Sequence, residues 1–246
     1  MRISRALALA GIDSRRKCEE HVRNGAIQVN GEVVRDLGRQ VEPGVDQIAF
    51  RGRALPFQSF VYYVINKPEG YMTTASDPHA KKTVYELLPR KLVKSTRNPG
   101  DDKLRVFPVG RLDKDTMGVL LFTNDGDLAH KLLHPRYRVN KWYEARLGRA
   151  FAPEDGRKIL AGVRLKDGMA KAEELRTISR RIVHLRICEG RKREVRRLFE
   201  SQGYQVERLV RLAFGPILIG DLKLGQGRFL GKQEVQALRA AVSDGE

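Results

Sequence analysis

A short apolar run between a charged loop and a turn most limits how this chain can fold. The run is Val-Leu-Leu-Phe at residues 119–122, and it has the length of a buried strand. Asn-Asp-Gly at residues 124–126 follows it with turn-forming residues, while Arg111, Asp113 and Asp115 precede it. We therefore predict a core strand whose preceding loop presents charged side chains, an arrangement common at functional sites.

The net charge of the chain indicates a polyanionic partner. The 246 residues include 47 Lys or Arg and 30 Asp or Glu, which gives a net charge of +17. Nucleic acid is the first candidate partner for such a chain, and an anionic membrane surface is the second. No apolar run approaches the roughly 20 residues of a spanning helix, so we favour nucleic acid and expect no membrane partner.

The N-terminal segment and the cysteines indicate the compartment. Residues 6–12 are apolar, but charges follow at once without a cleavage region, so we expect no signal peptide. Cys18 and Cys188 lack a nearby partner, which favours two small buried side chains over a metal site. We therefore expect a cytoplasmic protein without disulfides.

Residues 1–56 predict a small domain of two helices and a sheet. Ser14 is of a type that caps helix N-termini. Asn-Gly at residues 30–31 between alternating apolar residues predicts a hairpin, and a second hairpin turns at residues 51–52. A short linker then leads to a second domain, which we place at residues 60–246.

Residues 11–34 resemble the αL-type, or S4-like, RNA-binding domain first known from a small-subunit ribosomal protein. In that family the helix with the Ser-Arg-Arg start contacts RNA phosphates. The resemblance therefore implies RNA contacts from Arg5, Arg15, Arg16 and Lys17. A solvated helix face is the usual explanation of a lone charge run, but the run, the hairpin and their spacing agree here, so we favour RNA.

The larger part of the chain is also strongly basic. Residues 1–56 contain ten basic and seven acidic residues, a net charge of +3, which leaves +14 for residues 57–246. The second domain is therefore expected to bind RNA over its own surface. Residues 90–103 are basic and without periodicity, and we predict a surface loop there. RNA contact and a tolerated insertion remain equal alternatives for this loop.

Periodicity and turn residues predict a sheet with flanking helices in the second domain. We predict strands at residues 60–65, 119–122, 141–147, 170–178, 182–188 and 206–214. We predict helices at residues 83–88, 127–133, 153–161, 192–202 and 233–242. Residues 66–70 are predicted to form a turn.

The residues alone leave the chemistry of the charged loop open. An aspartate in a turn before a strand is usually a turn former or a member of an ion pair. Asp113 and Asp115 could instead bind a metal ion, as in a nuclease, but the sequence offers no third ligand at a convincing spacing. No phosphate-binding or serine-hydrolase motif is present, and we expect no metal site.

Three motifs resemble those of the RsuA-type ribosomal RNA pseudouridine synthases. Residues 110–126, Gly-Arg-Leu-Asp-Lys-Asp-Thr-Met-Gly-Val-Leu-Leu-Phe-Thr-Asn-Asp-Gly, are similar to the central signature of that family. Asn-Lys-Pro-Glu-Gly at residues 66–70 and Glu-Gly-Arg-Lys-Arg-Glu-Val-Arg-Arg-Leu-Phe at residues 189–199 are similar to two further motifs. The αL domain in front matches the domain order of the family, so the likeness covers nearly the whole chain. It is greatest to the RluB-like large-subunit branch.

The resemblance implies a catalytic set of Asp113, Tyr143 and Arg196. Asp113 acts on the ribose, either as nucleophile or as base, and Arg196 is its expected counter-ion. Tyr143 stacks on the uracil, and Arg111 helps to hold the flipped nucleotide. Asp115 is expected to have no counter-ion and to shape the loop through turn hydrogen bonds.

Further RNA contacts near the site are expected from Arg191, Lys192 and Arg193. One residue departs from the family pattern. Trp142 stands where a small or polar residue is more common, and a register shift by one residue would move the tyrosine assignment.

The resemblance also implies the reaction and the fold. Pseudouridine formation is an isomerisation, so we expect no redox cofactor, nucleotide or metal. The uridine must be flipped out of its RNA, at a cost of a few kcal/mol. We expect an α+β fold, a monomer, and a uridine of large-subunit rRNA as the substrate. Small-subunit rRNA and a non-catalytic role in ribosome assembly are the alternatives.

Overall fold

The computed structural model describes residues 1–42, 45–55, 59–74, 82–92 and 106–243. Residues 56–58 of the predicted linker and residues 93–103 of the predicted basic loop lie outside this part. The chain divides into two compact units. One unit comprises Met1–Val61, Pro89–Val106 and Asn124–Gly126, and the other comprises Tyr62–Leu88, Phe107–Thr123 and Asp127–Glu246.

The N-terminal unit contains two helices and a four-stranded sheet, as predicted. Its elements are α1 (Ile3–Leu9), α2 (Arg15–Arg23), β1 (Ile27–Val29), β2 (Glu32–Val34), β3 (Ile48–Phe50) and β4 (Arg53–Ala54), with sheet order β2-β1-β3-β4. Ser14 caps α2 by accepting a hydrogen bond from the Lys17 amide at 3.4 Å. Asn30 and Gly31 both have positive φ, at 52° and 87°, which is the geometry of the predicted hairpin turn.

The second unit is built on a nine-stranded sheet. Its strands are β5 (Tyr62–Lys67), β6 (Phe107–Pro108), β7 (Thr116–Thr123), β8 (Lys141–Leu147), β11 (Glu174–Ser179), β12 (Ile182–Ile187), β13 (Val206–Phe214), β14 (Ile217–Leu218) and β15 (Gly227–Phe229), while β9 (Val163–Leu165) and β10 (Gly168–Ala170) form a separate hairpin. The main order is β11-β12-β8-β13-β7-β5-β15, with β14 on β13 and β6 on β7. The pair β13–β7 is parallel, and the other strand pairs in the described part are antiparallel. The predicted α+β class with a mixed, mainly antiparallel sheet is confirmed.

Helices cover the sheet through apolar side chains. The helices are α3 (Gly126–Leu133), α4 (Pro153–Ala161), α5 (Glu194–Glu200) and α6 (Lys232–Ala240), with 3₁₀ turns at Val84–Leu87 and Pro135–Tyr137. A further 3₁₀ turn, Arg90–Leu92, belongs to the first unit. Leu132 of α3 and Leu238 of α6 are fully buried in one cluster with Val64, Leu121 and Phe214 of the strands. Among the described residues, no helix combines the length and apolarity needed to cross a bilayer.

Several predicted boundaries differ from the observed ones, and two of the differences have a physical reason. The turn predicted at residues 66–70 starts two residues later, because Asn66 and Lys67 complete β5 as buried polar residues. The Asn66 side chain can be buried because its Nδ2 donates to the Leu222 carbonyl at 2.7 Å. The single strand predicted at residues 170–178 is divided, since the chain leaves the β9–β10 hairpin before it enters β11.

Candidate active site

A cleft of about 650 Å³ opens beside the loop that precedes β7. It is lined by that loop, by the end of β12 and the segment after it, and by side chains of β8 and β13. The predicted site residues that line it are Arg111, Asp113, Tyr143, Arg191, Lys192 and Arg193. The fold therefore brings together side chains that are up to 82 positions apart in the sequence.

The backbone around Asp113 is fixed by hydrogen bonds. Its carbonyl oxygen accepts from the Thr116 amide at 3.1 Å, and the Gly70 amide donates to the Lys114 carbonyl at 2.8 Å. The Asp113 carboxylate itself makes no hydrogen bond or ion pair within the part of the chain that the structure describes. An ordered loop thus presents an acceptor group that is open to a ligand in the cleft.

The buried side chain of Lys67 holds this loop in place. This role was not predicted from the sequence. The side chain is fully buried. Its Nζ lies within hydrogen-bonding distance of four backbone carbonyl oxygens, those of Thr116 at 2.8 Å, Pro68 at 3.0 Å, Asp113 at 3.1 Å and Lys114 at 3.3 Å. Burial lowers the pKa of Lys67 to about 8, and the carboxylates of Asp115, Asp113 and Glu69 oppose this shift. The available signal was its place in the Asn-Lys-Pro-Glu-Gly motif at residues 66–70, just after an apolar run.

Tyr143 points into the cleft from β8, where it is 8% exposed. It lies opposite Leu185 of β12 and Arg211 of β13. Alternation along the strand places Trp142 on the other face, where its ring centroid lies 5.3 Å from Cζ of Arg176. The unusual tryptophan therefore packs away from the cleft, and the position of Tyr143 needs no register shift.

Arg196 does not form its predicted pair. Its Nη2 lies 3.2 Å from Oδ2 of Asp115 and donates to the Asp115 carbonyl at 2.9 Å, while Nη1 donates to the Val206 carbonyl at 2.8 Å. The expectations that Arg196 pairs with Asp113 and that Asp115 lacks a counter-ion are both wrong. Motif spacing placed the arginine beside the loop, but it could not decide between two carboxylates two residues apart.

The predicted RNA-binding residues at the cleft differ in whether a carboxylate already pairs with them. Arg111 and Lys192 are exposed, and no ion pair involves them in the described residues. Arg191 Nε lies 2.6 Å from Glu189 Oε2, and Arg193 Nη1 lies 3.2 Å from Asp115 Oδ2. RNA phosphates would therefore compete with carboxylates for these two arginines.

The predicted contacts of the N-terminal unit lie on its two helices. Arg15, Arg16 and Lys17 are exposed in the first turn of α2, and Arg5 is partly buried on α1. Arg15 has a distant ion pair with Glu19, at 3.9 Å. The α2 cations thus form a surface cluster that can reach a polyanion.

Two further charged residues at the cleft were not singled out from the sequence. Lys141 Nζ donates to the Cys188 carbonyl at 2.8 Å, and burial, followed by the nearby Arg211, lowers its pKa to about 8. Burial also raises the pKa of Glu194, whose Oε2 accepts from the Arg191 amide at 3.0 Å. The signal for Lys141 was its place two residues before Tyr143 on the same predicted strand. Within the described ranges, no group of three His, Cys, Asp or Glu side chains could hold a metal ion.

Comparisons with known proteins identify the families to which the two parts of the chain are similar. The pattern of the family described as RNA pseudouridylate synthase matches residues 61–201, and that of the S4 domain matches residues 1–46. A protein of Bacillus subtilis (strain 168) named ribosomal large subunit pseudouridine synthase B is 37% identical over 254 residues, which cover 100% of this chain and 98% of the relative. An uncharacterized RNA pseudouridine synthase of Aquifex aeolicus (strain VF5) is 38% identical, with 98% of this chain and 95% of the relative covered.

A solved structure shows the same architecture over both units. It is described as the crystal structure of a pseudouridylate synthase, and it matches with a TM-score of 0.66 and 26% sequence identity. The match covers 97% of this chain and 99% of the other.

Proposed function

The chain belongs to the RNA pseudouridylate synthase family, and we propose that it isomerises a specific uridine of large-subunit ribosomal RNA. Conversion of uridine to pseudouridine is the activity of the family. The proposal of large-subunit RNA rests on the full-length similarity to the large-subunit enzyme of Bacillus subtilis. The similarity extends over the N-terminal S4 domain of this chain. We propose domain limits at residues 1–56 and 60–246, and a monomeric enzyme.

Asp113 is the proposed reacting group. Its backbone is fixed, its carboxylate has no partner among the described residues, and it lines a cleft large enough for a nucleotide. A carboxylate in this position can act on the ribose as nucleophile or as base. Tyr143 supports the uracil from β8, since an aromatic ring can stack on a flipped base.

Arg196 supports the reaction indirectly in this proposal. It is 5% exposed and does not line the cleft, so it is shielded from the substrate. Its bonds to the Asp115 carboxylate and carbonyl connect α5 to the loop that carries Asp113. Arg196 therefore orients the reacting carboxylate through its neighbour in the loop.

Cations around the cleft offset the free energy that is needed to unstack the uridine from its neighbouring bases. Arg111, Arg191, Lys192 and Arg193 lie at the rim, where they can bind phosphates on either side of the flipped nucleotide. In the N-terminal unit, Arg5, Arg15, Arg16 and Lys17 supply further contacts to RNA phosphates. These contacts raise affinity without reading sequence.

The test is release of tritium from carbon 5 of labelled uridine in large-subunit and small-subunit rRNA, followed by mapping of the modified position. We expect release from large-subunit RNA, no release with Asp113→Asn, and no effect of EDTA. Release confined to small-subunit RNA would replace the proposed substrate. Full activity of Asp113→Asn would exclude the proposed mechanism, and an inactive wild-type protein that still binds rRNA would support the assembly role.

A further inference from the structure

Arg211 lines the candidate active site but has no role in the predicted catalytic set. It lies on β13, between the strand that carries Tyr143 and the strand that follows the Asp113 loop. In register it is opposite Tyr143 on β8 and opposite Gly118 on β7. Its side chain lines the same cleft as Asp113 and Tyr143.

The guanidinium of Arg211 is buried, and not all of its N–H donors have a hydrogen-bond partner among the described residues. The residue is 3% exposed, and Nε donates to the Val119 carbonyl at 2.8 Å. Its Nη2 is buried and has no partner among the described residues. An unpaired buried donor is costly and uncommon, and in an enzyme cleft it indicates a group that awaits a ligand.

The backbone around Arg211 is shaped to hold it there. The pairing of β13 with β8 shifts register between Arg211 and Ala213, which is a bulge of the kind that redirects side chains beside active sites. On the other side, Gly118 has φ of 107°, and a Cβ there would lie 2.2 Å from the Arg211 carbonyl oxygen. A glycine is therefore needed for β7 to approach β13 at this residue.

The proposed reaction creates a negative charge in this part of the cleft. When the bond between C1′ and N1 breaks, its electron pair stays on the uracil, where N1 and the two carbonyl oxygens share the charge. The base turns, C5 bonds to C1′, the C5 proton is lost, and N1 regains a proton. A guanidinium suits the detached base because it stays charged and presents several donors in one plane.

We propose that Arg211 is a catalytic residue that donates hydrogen bonds to a carbonyl oxygen of the detached uracil. This inference rests on the proposed uridine isomerisation, but it does not depend on which rRNA is the substrate. The buried donor is satisfied when the flipped base enters, and its charge is most useful after the glycosidic bond has broken. Lys141, whose Nζ lies 5.8 Å from the Phe214 ring that Arg211 also contacts, adds positive charge on the same side.

The test compares single-turnover pseudouridine formation by wild type, Arg211→Met, Arg211→Lys and Arg208→Met on total rRNA from both subunits. We expect Arg211→Met to slow the chemical step by about 100-fold, with RNA affinity within about twofold. Arg208 is exposed on the same strand, and its replacement should leave the rate unchanged. Guanidinium ion should partly restore the Arg211→Met rate, which a purely structural role does not predict.

Arg211→Lys keeps the inference testable if the methionine variant fails to fold. An introduced ammonium in this buried place titrates at lower pH than a guanidinium. The rate of Arg211→Lys should therefore fall with rising pH more steeply than the wild-type rate, in which Lys141 also titrates. An Arg211→Met rate within about threefold of wild type, or a folded Arg211→Lys variant without the added pH dependence, would overturn the inference. Wild-type turnover on small-subunit rRNA alone would overturn the proposed substrate and leave the Arg211 comparison valid.

Discussion

Arg196 is bound to Asp115, with Nη2 of the arginine 3.2 Å from Oδ2 and 2.9 Å from the carbonyl oxygen of the same residue. Arg193 approaches the same carboxylate at 3.2 Å. Because Asp115 is two residues from Asp113, these contacts tie the start of α5 to the loop that carries the proposed reacting group. The second acid of the loop thus has a structural partner, and the first is left open to the cleft.

Replacement of Asp115 should therefore affect catalysis through the loop. We expect Asp115→Asn, which keeps one acceptor, to slow single-turnover pseudouridine formation only a few-fold. Asp115→Ala should slow it by about tenfold and lower the free energy of unfolding by about 1 kcal/mol, because the pair is partly exposed.

A double-mutant cycle with Arg196→Met measures the coupling between Asp115 and Arg196. If the two residues act together, the losses for Asp115→Ala and Arg196→Met should be far from additive. Wild-type activity of Asp115→Ala would show that the loop is held without this ion pair.

Gly118 lies opposite Arg211, where β7 and β13 are too close together for a side chain. A Cβ would lie 2.2 Å from the carbonyl oxygen and 2.6 Å from the amide nitrogen of Arg211, and φ is 107°. We expect Gly118→Ala to lower the free energy of unfolding by about 3 kcal/mol or more, from clash and backbone strain together.

Gly220→Ala is the matched control for this substitution. Gly220 also has positive φ, at 53°, but nothing lies within 4 Å of the added Cβ. It should lose only about 1–2 kcal/mol. Urea unfolding of both variants measures the difference, and equal losses would mean that the contact with Arg211 has relaxed.

Local sequence signals predicted most of the elements. The strands Lys141–Leu147 and Val206–Phe214 and the helix Pro153–Ala161 were predicted at their observed limits. Each has an apolar pattern of the right period between clear start and stop residues. The Asn30-Gly31 turn was also predictable from local sequence, because both residue types tolerate positive φ.

The charged interior of the second unit could not be predicted in the same way. Lys67 is held by carbonyls 46 to 49 positions away as well as by its neighbour Pro68, and Arg196 reaches back 81 positions to Asp115. Hydropathy predicts that such residues lie outside, and only the assembled sheet supplies their partners. For Arg211 the sequence did offer a signal of burial, because it is the single charge within the apolar part of a predicted strand.

Lys67 gives the stability of the protein a defined dependence on pH. Its folded-state pKa is about 8, below the ordinary value of 10.5, so between these values the unfolded chain binds more protons. The contribution of this residue to stability therefore rises as pH increases through that window. Lys67→Met removes this dependence and leaves four carbonyls without their donor, at a cost of about 2–4 kcal/mol.

Urea unfolding of wild type and Lys67→Met at about pH 8 and about pH 10.5 measures this contribution. The difference in stability between the two proteins should increase with pH. Since Lys141 remains in both proteins, its similar titration cancels. A constant difference would show that Lys67 titrates in the folded state as it does in the unfolded chain.

The first turn of α2 should contribute to RNA affinity through phosphate contacts. Replacing the exposed Arg16 by alanine removes one cation, so the slope of log affinity against log salt concentration should fall in magnitude by about 0.7–0.9. Arg53→Ala removes another exposed arginine, on β4 and outside the predicted contacts, and should leave the slope unchanged. Filter binding of rRNA fragments over a range of KCl concentrations measures both slopes. Equal reductions would indicate that the N-terminal unit attracts RNA by its overall charge and makes no specific contact through α2.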